Sequence, residues 1–128
     1  MLWLKLAVVA LALVLGIWML VDGTRAFLVG DFFTPQSGEY AGQLGPWATL
    51  VSGMGLDPRS ALLKAVHIGL GLFWLASMVA FLARPSWGRG RLRAAAFLSL
   101  WYLPFGTLIG VLVLVLLVLL PPSRSQPA

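Results

Sequence analysis

Three polar residues inside an apolar stretch are the best candidates for chemistry in this sequence. Ser60, Lys64 and His67 recur at helical spacing, so on a helix they share one face. Ionisable groups within a membrane-spanning helix are unfavourable and often mark the path of an ion, a proton or a ligand. The alternative is structural: Lys64 extends to the outer polar interface, and His67 bonds to a neighbouring helix.

We expect the two ionisable side chains of this face to have different partners. We expect Lys64 to meet an acid of the neighbouring loop, Asp31 or Glu39. We expect His67 to bond to a backbone carbonyl or to Tyr102, because an unpaired polar group in hydrocarbon is unfavourable. Both expectations turn the face towards other helices or the polar interface, away from lipid tails.

Several chemistries are excluded by the residues that the sequence lacks. Because it has no cysteine, disulfides, thiolate catalysis and thiolate-bound zinc or iron–sulfur clusters are ruled out. A single histidine cannot build a protein-only zinc site or a bis-histidine haem site within one chain, so we expect no cofactor. The sequence shows no nucleophile–base pair, phosphate loop or dinucleotide fingerprint, and we expect a protein that is not an enzyme.

The elements that position these residues are membrane helices. Hydrophobic residues make up 60% of the 128-residue chain and charged residues only 10%, whereas soluble domains carry about 25% charged residues. The apolar blocks are long enough to cross a hydrocarbon layer of about 30 Å, which takes about 20 helical residues. The composition predicts an all-α integral membrane protein of three or four membrane-embedded helices, in a single domain over residues 1–128.

Caps, prolines and charges set the expected boundaries. The first apolar block is too long for the apolar part of a signal peptide, so we expect an uncleaved span. Asp57-Pro58 is typical of a helix start, and Arg84-Pro85 of a stop. The expected elements are helix 2–21; external loop 22–57 with a short interfacial helix at 46–54; helix 58–84; an arginine-rich cytoplasmic loop 85–93; a broken helix or helical hairpin over 94–120; and a disordered tail 121–128.

The last apolar block is interrupted by Pro104-Phe105-Gly106-Thr107. Either one tilted helix is kinked at Pro104, or the interruption is a turn between two short helices. The segment after it is only about 21 Å long as a helix, which favours the kink. Arg124 favours the turn, which would return the C-terminus to the cytoplasm. A straight continuous helix is expected in neither case.

The segment Leu103-Pro104-Phe105-Gly106-Thr107-Leu108-Ile109-Gly110 resembles a motif near the C-terminus of small bacterial multi-pass membrane proteins of uncharacterised function. In those proteins, a break of proline, a hydrophobic residue, glycine and threonine separates the last two segments of a four-helix unit. The resemblance covers about the last quarter of the chain. Residues 111–120 depart from it, because they are only valine and leucine. The resemblance implies the break and a fourth segment, and no activity.

Charge sets the expected orientation, because lysine and arginine in short loops stay on the cytoplasmic side. The arginines of the 85–93 loop therefore place that loop and the N-terminus in the cytoplasm, and the acidic loop outside. They also carry most of the net charge of +5, for which anionic lipid headgroups are sufficient partners. Without a recognition fold, we expect no nucleic-acid binding.

Small residues at four-residue spacing predict close helix packing. The strongest of these motifs is Gly106-x-x-x-Gly110, with Ala12-x-x-x-Gly16 and Ala65-x-x-x-Gly69 as weaker relatives. The motifs do not distinguish packing within one chain from packing between chains. Our leading hypothesis is a non-catalytic accessory or packing component of the cell membrane, with lipid and other membrane proteins or further copies as partners. The alternative is a small oligomeric transporter or channel that turns Lys64 and His67 towards a shared axis.

Overall fold

Five helices build the part of the chain that the computed structural model describes, residues 2–122, and this part contains no strand. In chain order they are α1 (Leu2–Val29), α2 (Pro46–Gly53), α3 (Ala61–Ala83), α4 (Pro85–Leu98) and α5 (Phe105–Leu119). The prediction of an all-helical protein is confirmed. By length and composition, α1 and α3 are able to cross a membrane, and α5 is a shorter apolar helix.

The helices α1, α3, α4 and α5 form a four-helix bundle in which each contacts the next and α5 returns to α1. The α1–α3 pair is antiparallel, since Gly16 lies against Trp74 while Gly23, nearer the end of α1, lies against His67, nearer the start of α3. Each helix contributes a buried face to one shared core. Its fully buried large side chains include Leu15, Met19, Trp74, Phe81, Leu92 and Leu117.

The last apolar block is a hairpin of two antiparallel helices, so of the two arrangements considered for it, the structure has the turn. Residues 99–104 turn the chain between α4 and α5. Near this turn, Gly106 faces Ser99. At the far end, the Arg89 guanidinium, near the start of α4, donates hydrogen bonds to the carbonyls of Leu120 and Pro121. Of the tail predicted over 121–128, the part from residue 123 onward lies outside the described residues.

The first helix extends beyond the predicted residue 21, to Val29. The prediction placed the start of the loop at Asp22, the first acidic residue. In the structure, Asp22 is buried within α1, and its carboxylate accepts a hydrogen bond of 2.7 Å from the Phe33 N–H. Arg25 donates to the carbonyl of Asp31 in the same returning segment. Asp22 therefore does not mark the end of α1. It lies within the helix and anchors the segment that follows it.

The start of α3 also differs from the prediction, which placed it at residue 58. Ser60 is the N-cap, and its hydroxyl accepts a hydrogen bond of 3.4 Å from the Leu63 N–H. Asp57 instead closes the preceding turn by accepting a hydrogen bond from the Arg59 N–H. Aspartate and serine are both favourable N-cap residues, so residue type alone does not predict which of Asp57 and Ser60 caps α3. The short helix expected at 46–54 is α2, which ends at Gly53.

The segment predicted as an arginine-rich loop, 85–93, is helical and forms the first part of α4. Pro85 ends α3, but it also occupies the first turn of the next helix, where its missing N–H has no intrahelical partner to lose. The connection is reduced to Arg84. Gly88 permits this sharp reversal, because a Cβ at that position would overlap the backbone of Phe81.

The two ends of the bundle differ in charge. Near one end, called here the basic end, lie the start of α1, the α3–α4 connection and the end of α5, with the basic residues Lys5, Arg84, Arg89, Arg91 and Arg93. The other end, called here the loop end, carries the segment between α1 and α3 and the 99–104 turn. Its charged residues are Asp22, Asp31, Glu39 and Asp57 together with Arg25, Arg59 and Lys64. Every acid of the protein therefore lies at the loop end.

Candidate functional site

The three residues expected to share a polar face differ in their burial and in their partners. Ser60 is engaged as the cap of α3 by the Leu63 N–H. Lys64 is half-buried at the loop end, with Nζ 5.9 Å from the ring centroid of Phe27, at the edge of cation–π range. His67 points into the bundle and is fully buried. Of the three, only His67 belongs to the interior of the protein.

Asp31, one of the two acids expected beside Lys64, has another partner, and Glu39 forms no ion pair within the described residues. Asp31 forms an ion pair with Arg59, with 3.0 Å between Oδ1 and Nε. Arg59 also donates to the carbonyl of Gly42, so it joins the start of α3 to the preceding loop. Because both side chains of the ion pair are exposed, it contributes at most about 1 kcal/mol.

The His67 ring is oriented by one hydrogen bond. Nδ1 lies 2.7 Å from the carbonyl oxygen of Leu63, and since a carbonyl only accepts, Nδ1 carries the proton and donates it. This is one of the two kinds of partner expected for His67. In the neutral ring, Nε2 is then an acceptor. Nε2 is buried and has no hydrogen-bond partner among residues 2–122, so the ring presents an unsatisfied acceptor to the core.

Four aromatic side chains surround His67 and are called here the aromatic cage. The ring centroids of Phe32 and Trp47 lie 4.5 and 4.7 Å from that of His67. Those of Tyr102 and Trp101 lie 5.2 and 5.8 Å away. Such separations are those of favourable aromatic contacts. The cage therefore holds the imidazole in an apolar setting at the loop end.

The cage residues come from three segments that are distant in sequence. Phe32 follows α1, Trp47 begins α2, and Trp101 and Tyr102 lie in the turn between α4 and α5. The helix α2, which we expected at the membrane surface, turns its buried residues Trp47, Ala48 and Val51 inward at the loop end of the bundle. The sequence pointed to Tyr102 as a partner of His67. It gave no signal for Phe32 and Trp101, because no helical periodicity relates them to α3.

Packed side chains close the interior between His67 and the basic end. Trp74 and Phe81 are fully buried below His67 on the same face of α3. The Trp74 indole N–H donates to the Ser99 hydroxyl over 2.8 Å, which joins α3 to the end of α4. Ser77, between the two aromatic residues, has a buried hydroxyl without a partner among the described residues. The bundle therefore has a filled core where a polar path would have to run.

The glycines expected to mediate packing act within the chain. A Cβ on Gly110 would lie 2.9 Å from the carbonyl oxygen of Ala96, and Gly106 faces Ser99. Gly106 and Gly110 thus bring α5 close to α4. Gly16 of the second motif similarly faces Leu75 of α3, at 3.0 Å from a built Cβ. The small residues of these two motifs are therefore used for helix packing within one molecule.

The third small-residue motif faces outward. A Cβ built on Gly69 meets nothing within 4 Å. Gly69 belongs to a row of exposed residues, called here the α3 outer face: Leu62, Ala65, Gly69, Leu72, Ala76, Val79 and Ala83. Its steps alternate between three and four residues, which is the spacing of a seam between two helices packed in a left-handed pair. Four of its seven members are glycine or alanine, so a second helix would be able to approach closely.

Comparison with protein-family models, with curated proteins and with solved structures finds no match for this chain. Its helices and their contacts are those of an all-α protein with two helices suited to crossing a membrane. Function is therefore argued from the aromatic cage, the α3 outer face and the charge of the two ends.

Proposed function

We propose that the chain is a multi-pass membrane protein in which α1 and α3 cross the bilayer, the shorter α4–α5 hairpin packs against them, and the start of α1 and the end of α5 lie on the cytoplasmic side. The up-and-down order of the bundle supports this, because it brings the start of α1 and the end of α5 to the same end. That end is the basic end, where the positive-inside rule expects the cytoplasm. The loop end, which holds the acids, then faces outward.

Orientation is tested by labelling single cysteines, since the natural sequence contains none. Ser37→Cys lies in the loop between α1 and α3, and Ser86→Cys lies at the start of α4. In intact cells, a membrane-impermeant maleimide is expected to label the first variant, whereas the second requires permeabilised cells. Labelling with the opposite pattern would invert the orientation. Labelling of both variants in intact cells would contradict the proposal that α3 crosses the membrane.

The function that we propose is non-catalytic packing against a transmembrane helix of another membrane protein or of a second copy. The α3 outer face carries this proposal. In lipid, large apolar side chains are no worse than small ones, and small residues are instead enriched where helix backbones approach closely. The other small-residue motifs are used inside the chain, whereas Ala65 is exposed and a Cβ built on Gly69 meets nothing within 4 Å.

The remaining outward surface favours packing over the transporter alternative. A pore shared by several copies needs a polar face along its axis. Among the described residues, the exposed side chains of α3 and α5 are all apolar, and His67 is enclosed by the aromatic cage. Lys64, the other residue that would line the path of a transporter, is half-buried near Phe27.

Enlarging the α3 outer face tests the packing function. Ala76→Leu or Gly69→Leu places a bulky side chain where a second helix would approach. Overpacking of this kind costs about 1–3 kcal/mol, which is roughly a 5- to 150-fold loss of association. Self-association is measured by fluorescence energy transfer in liposomes. Association with other proteins is measured by cross-linking in native membranes followed by purification.

A matched control is Ala10→Leu, which makes the same change at an exposed position of α1, away from the α3 outer face. It is expected to leave complexes intact. If the α3 variants retain every complex that the natural protein forms, or if Ala10→Leu disrupts them equally, the α3 outer face is not the packing surface and the proposed function fails.

A further inference from the structure

A groove runs between α1 and α5 on the outside of the bundle. Its volume is about 520 Å³, and its walls are almost entirely apolar. The lining residues are Leu13, Val14, Leu15, Ile17, Trp18, Phe105 and Ile109. The indole N–H of Trp18 is directed away from lipid by its hydrogen bond of 2.9 Å to the Tyr102 hydroxyl. The groove therefore offers apolar surface alone, beside the first turn of α5 in the half of the bundle nearer the loop end.

An arginine lies above this groove on the same side of α1. Val14, Trp18 and Arg25 follow one another at helical spacing on one face. Arg25 is seven residues beyond Trp18, which places it about 10 Å nearer the loop end. Phe33 fills the space between them: its ring stacks on Trp18, with centroids 5.4 Å apart, and the Arg25 guanidinium carbon lies 4.5 Å from the Phe33 centroid.

The charge of Arg25 is oriented but not neutralised by an ion pair within residues 2–122. Its Nη1 donates to the carbonyls of Asp31 and Phe32, at 2.9 and 3.0 Å, which fixes the guanidinium. Asp22, one turn earlier, accepts a hydrogen bond from the Phe33 N–H and interacts electrostatically with Arg25, but it forms no ion pair with it. Asp31 pairs with Arg59. Arg25 therefore presents a positioned cation just beyond the end of the apolar stretch of α1, at the depth of lipid headgroups.

We propose that this surface binds an anionic phospholipid of the bilayer, with one acyl chain in the α1–α5 groove and the phosphate at Arg25. An acyl chain matches the apolar groove, and a guanidinium binds phosphate oxygens through charge-assisted hydrogen bonds. A neutral headgroup would gain less from the same arginine. The site requires insertion in a membrane, but it does not require the α3 outer face, which belongs to a helix that does not line the groove.

The lipid site is tested by native mass spectrometry of the full chain in detergent. Phosphatidylglycerol and phosphatidylcholine with identical acyl chains are titrated separately. One phosphatidylglycerol is expected to bind at least about tenfold more tightly than phosphatidylcholine, and Arg25→Gln is expected to remove that preference, because one charge-assisted hydrogen bond is worth about a factor of ten. Val14→Trp and Ile109→Trp fill the groove from its exposed side and are expected to weaken both lipids.

Arg59→Gln is the control, since it removes a cation of the same end that already has a carboxylate partner; it is expected to preserve the preference. Thermal melting establishes that each variant is folded. Equal binding of the two lipids, an unchanged preference in Arg25→Gln, or unchanged binding in both groove variants would each overturn the proposal. So would displacement of the lipid by inorganic phosphate, which would indicate a headgroup site without a chain. A failure of association through α3 would leave these results unaffected.

Discussion

Replacing Gly88 with alanine is expected to destabilise the protein by at least about 2 kcal/mol, since adding atoms to a packed contact commonly costs about 1–3 kcal/mol. A Cβ at this position would overlap the main chain of Phe81. Main-chain atoms in a helix cannot rotate away as a side chain does, so α3 and α4 would have to separate. Only Arg84 connects the two helices, so they have little freedom to move apart. The measurement is the midpoint of thermal unfolding in detergent.

Gly90 provides the control for this prediction. It lies in the same helix, and a Cβ built on it meets nothing within 4 Å. Gly90→Ala is expected to leave stability unchanged or to raise it by up to about 1 kcal/mol, because alanine favours helix more than glycine does. If both variants unfold at the same temperature, close contact at Gly88 does not hold α4 against α3.

Truncating Trp74 to alanine is expected to cost about 3–5 kcal/mol, the range for removing a large aromatic side chain from a packed core. Trp74 is fully buried, and its indole N–H donates to Ser99. Trp74→Phe separates the two contributions, since it keeps most of the ring but leaves the Ser99 hydroxyl without its donor. That variant is expected to lose about 1–3 kcal/mol. Both values are obtained from unfolding in mixed detergent micelles.

The comparison for this series is Trp87→Ala, an exposed tryptophan of α4 whose ring is stacked by Arg91. Its removal is expected to cost less than about 1 kcal/mol, the value of an exposed cation–π contact. A Trp87→Ala variant as unstable as Trp74→Ala would show that burial does not rank these positions. A Trp74→Phe variant as stable as the natural protein would show that the bond to Ser99 contributes nothing.

The sequence predicts the helical class of this protein because composition acts over whole segments. Blocks of apolar residues have no other stable form in lipid than helices whose backbone groups bond to one another. The ends of the helices depend on single contacts. Asp22 was expected to lie outside α1, yet it accepts a hydrogen bond from Phe33, a residue that folding alone brings back to it. Aspartate is suited both to an exposed loop and to a buried hydrogen bond between two segments, so its presence alone does not mark the end of a helix.

The arginine-rich segment shows a second limit of sequence interpretation. Proline stops the preceding helix and also suits the first turn of the next one. Whether a loop or a helix follows Pro85 is decided by packing, here by the close approach of Gly88 to Phe81. Sequence spacing carries no information about that approach, because it concerns two helices that meet in space.

The candidate site was predictable only in part for the same reason. His67 stood out as an ionisable residue in an apolar stretch, and its bond to the Leu63 carbonyl lies within its own helix. The aromatic cage combines Phe32, Trp47 and the 99–104 turn, which are far apart along the chain. These residues meet because of the order in which the helices pack around the bundle. No local sequence pattern predicts that order.

In the membrane arrangement that we propose, the unequal lengths of the helices have a consequence for the surrounding lipid. α1 has 28 residues and α3 has 23, whereas α4 has 14 and α5 has 15, so the hairpin is about 22 Å long and α1 about 42 Å. The hydrocarbon thickness of a typical bilayer, about 30 Å, exceeds the length of the hairpin, whereas it matches the apolar stretch of α1 before Asp22, which is also about 30 Å long. In that arrangement, the bilayer beside the hairpin would thin, at a fraction of a kcal/mol for each ångström of mismatch. The mismatch would draw the protein towards thin bilayers and gather short-chain lipids on its α4–α5 side.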